Sequence, residues 1–192
     1  EWFDKLAYEE LGDAWPEIAK NINPPAPLCV RINTLHHNKQ KLTALLKAEE
    51  VECAEMDAYP NALLIAGRQK LTELKPYKKG LFEIQDAGSQ TIAPFLQAKP
   101  GDVVIDACAG AGGKTLHLAS LMKNQGKIIA MDINTEKLSE LQNRAQRNGV
   151  SIITTEELFE ETLTDYQRFA DALLLDVPCS GTGVIKRDVD IK

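Results

Sequence analysis

Residues 102–115 read DVVIDACAGAGGKT, an apolar run that breaks into a glycine-rich turn and ends in Gly113-Lys114-Thr115. That tripeptide closes many phosphate-binding loops, but a triphosphate loop needs its first glycine five positions before the second. Here that position is Cys108, and Gly110 stands too near Gly113 to wrap a β-phosphate. A dinucleotide fingerprint fails as well, since Gly110-x-Gly112 would require a third glycine at the position of Thr115. What remains is a tight loop, nearly free of side chains, at the end of a buried strand. Gly110, Ala111, Gly112 and Gly113 allow close approach to the backbone.

Outward from this loop the chain alternates strand and helix. KIIAMD (127–132) reads as a second strand ending in Asp132. The helix after it is capped by Asn134, carries an apolar stripe at Leu138, Leu141 and Ala145, and stops at Gly149. SIIT (151–154) reads as a third short strand and DALLLDVP (171–178) as a fourth. This ordering predicts an α/β fold with a doubly wound, Rossmann-like sheet whose ligand lies beyond the carboxyl ends of the strands. An acid at the end of the second strand accepts hydrogen bonds from ribose hydroxyls in such sheets, with or without phosphates. A phosphate-free adenosyl ligand, S-adenosylmethionine, fits both features.

Residues 1–25 read as a helical lead-in, a short amphipathic helix with Trp2, Phe3, Leu6 and Leu11 on its apolar side, ended by the prolines of NPPAP (23–27). Residues 26–86 read as a small α/β module with strands at 28–33, 62–66 and 80–86 and a helix capped by Asn38. Residues 87–192 form the cofactor-binding domain, entered through a helical connection at AGSQTIAPFLQ.

At 192 residues, 44% hydrophobic and 26% charged, the chain can bury a sizeable core. No apolar run approaches the roughly 18 residues needed to span a bilayer, and EWFDKLAYEE at the start resembles no leader, so a cytoplasmic location is expected. Cys29, Cys53, Cys108 and Cys179 lie without a CxxC pair or a histidine cluster, which argues against structural zinc and against a disulfide framework. Cys29 and Cys53 read as small buried hydrophobes. The net charge of −6 hides two basic stretches: Lys20, Arg31, Lys39, Lys41 and Lys47 with His36 and His37, and Arg68, Lys70, Lys75, Lys78 and Lys79. Such stretches suit a phosphate backbone and mark the module as a candidate RNA-binding element, although solvated faces read equally well.

The fourth strand ends in LLLDVPCSGTG, which sets Asp176 and Cys179 three residues apart on a proline-stiffened turn with Gly181 and Gly183 behind them. A thiolate there could attack an electron-poor ring carbon, and the carboxyl group could hydrogen-bond or protonate a ring nitrogen. The thiol would need a cationic neighbour, for which Lys114 and Arg187 are candidates.

Together DACAGAGGKT, MDIN, LLLDVPCSGTGVIKR and the upstream FEIQDAGSQ resemble the Sun/Fmu and nucleolar-protein family of RNA cytosine-5 methyltransferases, from about Pro27 to the end. The resemblance implies methyl transfer from S-adenosylmethionine to carbon 5 of a cytosine, most often in ribosomal RNA, by a monomer without metal. It assigns Cys108, Ala109, Gly110, Ala111, Gly112, Gly113 and Lys114 to the cofactor loop and Asp132 to the ribose. Asp176 falls between the methionine end and the base, and Cys179 resembles the cysteine that releases the methylated product.

In that family the nucleophile belongs to a later Thr-Cys-Ser block, which does not occur here, and the sheet has more strands than the four readable in this chain. The expectation is therefore a fragment, with its fourth strand at an exposed edge, inactive alone. Two positions depart from the pattern: Val189 stands where a proline is usual, and the acid that reads the adenine must be Glu156 or Glu157. Competing readings are a DNA cytosine-5 methyltransferase with Cys179 as nucleophile, and a non-catalytic RNA-binding or assembly factor.

Overall fold

The computed structural model describes residues 2–67, 69–159 and 162–179, so Arg68, Gly181, Gly183, Arg187 and Val189 lie outside the described residues. The chain divides into two compact units, Glu1–Pro27 with Pro178–Lys192, and Leu28–Val177.

In the first unit, α1 (Trp2–Leu11) and α2 (Trp15–Ile22) flank a 3-10 turn at Gly12–Ala14, two helices where the sequence reading expects one. The break is tolerated because Pro16 sits in the first turn of α2, where a missing N–H costs nothing. Trp15 donates its indole N–H to Asp4 at 2.6 Å and meets the Phe3 ring edge-on.

The second unit holds two sheets. The first comes from β1 (Leu28–Ile32), α3 (Lys39–Ala48), β2 (Cys53–Glu55), β3 (Ala62–Ile65), α4 (Lys75–Lys78) and β4 (Phe82–Ile84). Its order β2-β3-β1-β4 is antiparallel throughout, a ferredoxin-like βαββαβ arrangement. Asn38 caps α3 by accepting the Lys41 N–H at 3.0 Å, and Leu42 and Leu46 bury against Val30, Ile32, Leu63, Ile65 and Phe82 on one face of the sheet. Cys29 is buried and Cys53 half-buried. On the opposite face, β1 and β4 place Arg31 and Glu83 directly across from each other.

After α5 (Ile92–Phe95) come β5 (Val103–Asp106), α6 (Gly113–Leu121), β6 (Lys127–Asp132), α7 (Thr135–Arg147), β7 (Ile153–Glu157) and β8 (Ala172–Leu174). The sheet is parallel, in the order β7-β6-β5-β8, so β8 is an edge among the described residues. That is the doubly wound order, with its switch point between β5 and β8. Asn134 caps α7 by accepting the Lys137 N–H at 3.1 Å. The α6 and α7 stripes, Leu116, Leu118, Ala119, Leu141 and Ala145 among them, cover Val104, Ile128 and Ala130 on one face. Ile105, Ile129 and Met131 fill the other. Among the described residues no helix is long and apolar enough to cross a membrane.

Candidate functional site

The loop after β5 closes on itself and on its neighbour strand. Gly112 donates to Ala109 O and Ala109 to Met131 O, each at 2.9 Å, and Gly110 donates its N–H to Asp132 Oδ2 at 2.8 Å. The other Asp132 oxygen accepts from the Asn134 N–H at 2.9 Å. Gly112 holds φ +87°, and a Cβ there would lie 2.5 Å from Leu141 Cγ, so both conformation and packing require glycine. Around Gly110 a Cβ would meet nothing within 4 Å, which leaves the loop open to a ligand on that side. The first turn of α6 begins there and brings N–H groups without intrahelical partners.

Carboxylates surround this loop. Asp106, at the end of β5 and 1% exposed, accepts from the Thr115 hydroxyl at 2.7 Å. Burial pushes its pKa up to about 6, and the negative charge of Asp176 adds to the rise. Thr115, the Cys108 N–H and Lys114 pull the other way. Asp176, just beyond β8, forms an ion pair with Lys114 Nζ. The Cys108 thiol is raised by burial first and then by Asp132, Asp106 and Asp176, so all three carboxylates act on the same loop. Strand ends β5 and β8 are the switch point, where doubly wound sheets bind their ligands.

The structure thus brings together Cys108, Ala109, Gly110, Ala111, Gly112, Gly113, Lys114, Asp132 and Asp176. Cys179 is exposed and belongs to the other compact unit. Sequence reasoning left out Asp106 and Thr115, which could have been found from the position of Asp106 at the end of a buried strand.

Register separates the two candidate glutamates. Glu156 lies opposite Met131, on the face that carries Tyr166, and accepts the Tyr166 hydroxyl; Tyr166 is pushed up to about 12, chiefly by that bond. Glu157 lies opposite Asp132 and shares its face.

The basic stretches read differently once folded. Arg31 is only 2% exposed and reaches Gly113 O at 3.4 Å, so it cannot line a phosphate backbone. Burial lowers its pKa to about 9, with Glu83 opposing and Arg144 adding to the fall. His36 donates to Asn148 O at 2.8 Å, and Lys39 and Lys75 pair with Glu55 and Glu49. Glu83, 2% exposed, binds Arg144 at 2.7 Å and also holds Arg147 and the Asn148 amide. Burial alone would raise its pKa, but these three partners outweigh that and hold it below the ordinary value.

Two family models match the chain. Residues 1–72 match an RsmF/B-like ferredoxin-like domain, and the four-stranded sheet observed here continues past that match to β4. Residues 93–192 match 16S rRNA methyltransferase RsmB/F. The Ribosomal RNA small subunit methyltransferase B of Klebsiella pneumoniae subsp. pneumoniae is 33% identical over 193 residues, which is 100% of this chain and 44% of that protein. The chain therefore spans less than half the length of the curated relatives it matches.

Among solved structures, PH0851 superposes with a TM-score of 0.92 at 29% identity, over 99% of this chain and 44% of that one. A methyltransferase homolog protein from Pyrococcus horikoshii gives 0.82 at 31% identity, over 94% and 59%. With just over half of its residues, 93–192, matched by one model, the chain belongs to the RsmB/F family of rRNA methyltransferases.

Proposed function

We propose that this chain carries the cofactor-binding part of an enzyme that transfers a methyl group from S-adenosylmethionine to carbon 5 of a cytosine in ribosomal RNA. The enzyme would work in the cytoplasm as a monomer. One observation carries the reading: Asp106, Asp132 and Asp176 accept from Thr115, the Gly110 N–H and Lys114, all on one glycine loop and its helix start. The Asp132 carboxylate at the loop disfavours a triphosphate and suits a cation, and the lysine that a phosphate loop would use is instead paired with Asp176. When bound, S-adenosylmethionine supplies an electrophilic methyl group on a positively charged sulfur.

The chain's own residues then divide the work. Asp132 accepts from the ribose hydroxyls through lone pairs left by Gly110 and Asn134. Glu157, on the same face, accepts from the adenine amino group, whereas Glu156 is engaged by Tyr166. The open side of Gly110 admits the adenosyl group, and the first amides of α6 receive the methionine carboxylate. Lys114 orients Asp176, whose carboxyl group holds a ring nitrogen of the base. Cys179 serves product release, and the nucleophile that attacks carbon 6 comes from a further cysteine.

Calorimetry on the full-length protein tests the cofactor. S-adenosylmethionine should bind and ATP should not; the reverse would sink the reading. Bisulfite mapping of ribosomal RNA after incubation tests the cytosine, and methylation at another base or another position overturns that finer part. Cys179→Ala should trap a covalent RNA complex, while complete loss of attack would favour Cys179 as the nucleophile.

A further inference from the structure

We propose that Glu83, in the ferredoxin-like module, is a positioning residue for the cofactor loop and acts on it through Arg144 and Arg31. The proposal rests on reading that loop as the S-adenosylmethionine site.

Glu83 Oε2 accepts from Arg144 Nε at 3.2 Å and Nη2 at 2.7 Å, which fixes the guanidinium plane. The remaining arm, Nη1, donates to Ala111 O at 2.7 Å. Directly across the β1–β4 pair, Arg31 donates from Nη2 to Gly113 O at 3.4 Å. Arg31 Nε and Nη1 have no partner among the described residues, and the Glu83 carboxylate is carried directly opposite it on β4. Two guanidinium groups thus hold the carbonyls on either side of Gly112.

This matters for the loop because a peptide group is rigid and trans: a carbonyl pinned on one side turns its partner N–H to the other. With Ala111 O held toward Arg144, the Gly112 N–H faces Ala109 O, as observed at 2.9 Å. With Gly113 O held toward Arg31, the Lys114 N–H in the first turn of α6 is turned the opposite way. Gly112, at φ +87°, lies between these two held carbonyls, and its own carbonyl accepts the Leu116 N–H at 2.9 Å. A buried ion pair is often no better for stability than apolar residues of the same shape. The charges at Glu83 therefore call for a role that an apolar pair could not fill, and donors aimed at two carbonyls supply one.

Glu83 also has a second arm that does not touch the loop. Arg147 binds its other oxygen and lies 4.1 Å from the centre of the Tyr77 ring, and Asn148 joins it there. The two arms allow structure and positioning to be separated.

The experiment compares Arg144→Lys with Arg147→Lys in the full-length protein, reading S-adenosylmethionine affinity by calorimetry at a temperature where melts show both folded. Arg144→Lys should weaken binding by about ten- to a hundredfold, the loss expected for a hydrogen bond from a charged group. Arg147→Lys should stay within about twofold while losing comparable stability. Glu83→Gln should raise KM for S-adenosylmethionine and leave KM for RNA unchanged. If Arg144→Lys does not fold, Arg31→Lys reads the same arm. Equal shifts from the two arms, or no shift from the loop arm, overturn the proposal alone. A wild-type protein that fails to bind S-adenosylmethionine overturns the cofactor reading and the proposal with it.

Discussion

Gly110 donates its backbone N–H to the carboxylate of Asp132 across 2.8 Å, which ties the loop after β5 to the end of β6. One carboxylate therefore both shapes the loop and offers lone pairs to a ligand. Asp132→Ala should weaken S-adenosylmethionine binding by about ten- to a hundredfold, the scale of a lost charge-assisted bond. Asp132→Asn retains an acceptor and should fall between. Calorimetry on the full-length proteins measures both, and equal affinity in Asp132→Ala and wild type would remove Asp132 from the site.

The two left-handed glycines of the loop should fail in different ways. A methyl group on Gly112 would meet Leu141 Cγ at 2.5 Å and hold an unfavourable φ of +87°, so Gly112→Ala should lose about 2–4 kcal/mol in a denaturant titration. Gly110→Ala has open space, with φ +52°, and should lose only about 1 kcal/mol while reducing cofactor affinity far more.

Lys114 and Asp176 pair at a partly exposed position, with side chains 21% and 43% accessible. Exposed pairs contribute little to stability, so Lys114→Gln should shift unfolding by less than about 1 kcal/mol. The methyl-transfer rate should drop by about tenfold or more, because Asp176 loses its orientation. Melts and single-turnover rates on the same samples would show the separation, and parallel losses would assign the pair to folding instead.

Asp106 gives stability a pH dependence of definite sign. Its pKa rises from 3.8 to about 6 in the folded protein, mainly through burial. The folded state thus holds the proton longer than the unfolded chain. The stabilising effect of the protonated form is complete below the ordinary value and is lost as pH rises through about 6. Asp106→Asn removes this slope, so the variant should gain on wild type between about pH 4 and 6, by roughly 3 kcal/mol in all, and stay level above. His117, lowered to about 3 by burial and then by Arg31, acts in the opposite sense but is present in both proteins and cancels. Urea titrations from pH 4 to 7.5 test this, and a flat difference would place the Asp106 titration elsewhere.

Much of the architecture is legible because its signals are local. KIIAMD spans β6 from end to end, and Asn38 and Asn134 cap the helices their positions suggest. Short edge strands escaped that reading. β2 has three residues and two of them are exposed, so it carries no alternation, and β7 runs from Ile153 to Glu157 rather than 151–154. Both are held by backbone ladders to a neighbour, which any residue type can supply. Arg31 sat in a basic stretch and reads as a phosphate contact until the β1–β4 register sets it against Glu83.

By itself the sequence determined the order of elements, the glycine loop at 110–113, the acid that ends β6, and the exclusion of a triphosphate by Cys108. These depend on residue spacing within a turn or two, where backbone sterics and capping act. Only the tertiary structure gathered Asp106, Asp132 and Asp176 around one loop, placed Glu157 on the Asp132 face, and joined Glu83 to Ala111 O through Arg144. Those relations depend on strand register and on packing between segments far apart in the chain. A one-residue slip in register would send each of these side chains to the opposite face of its sheet.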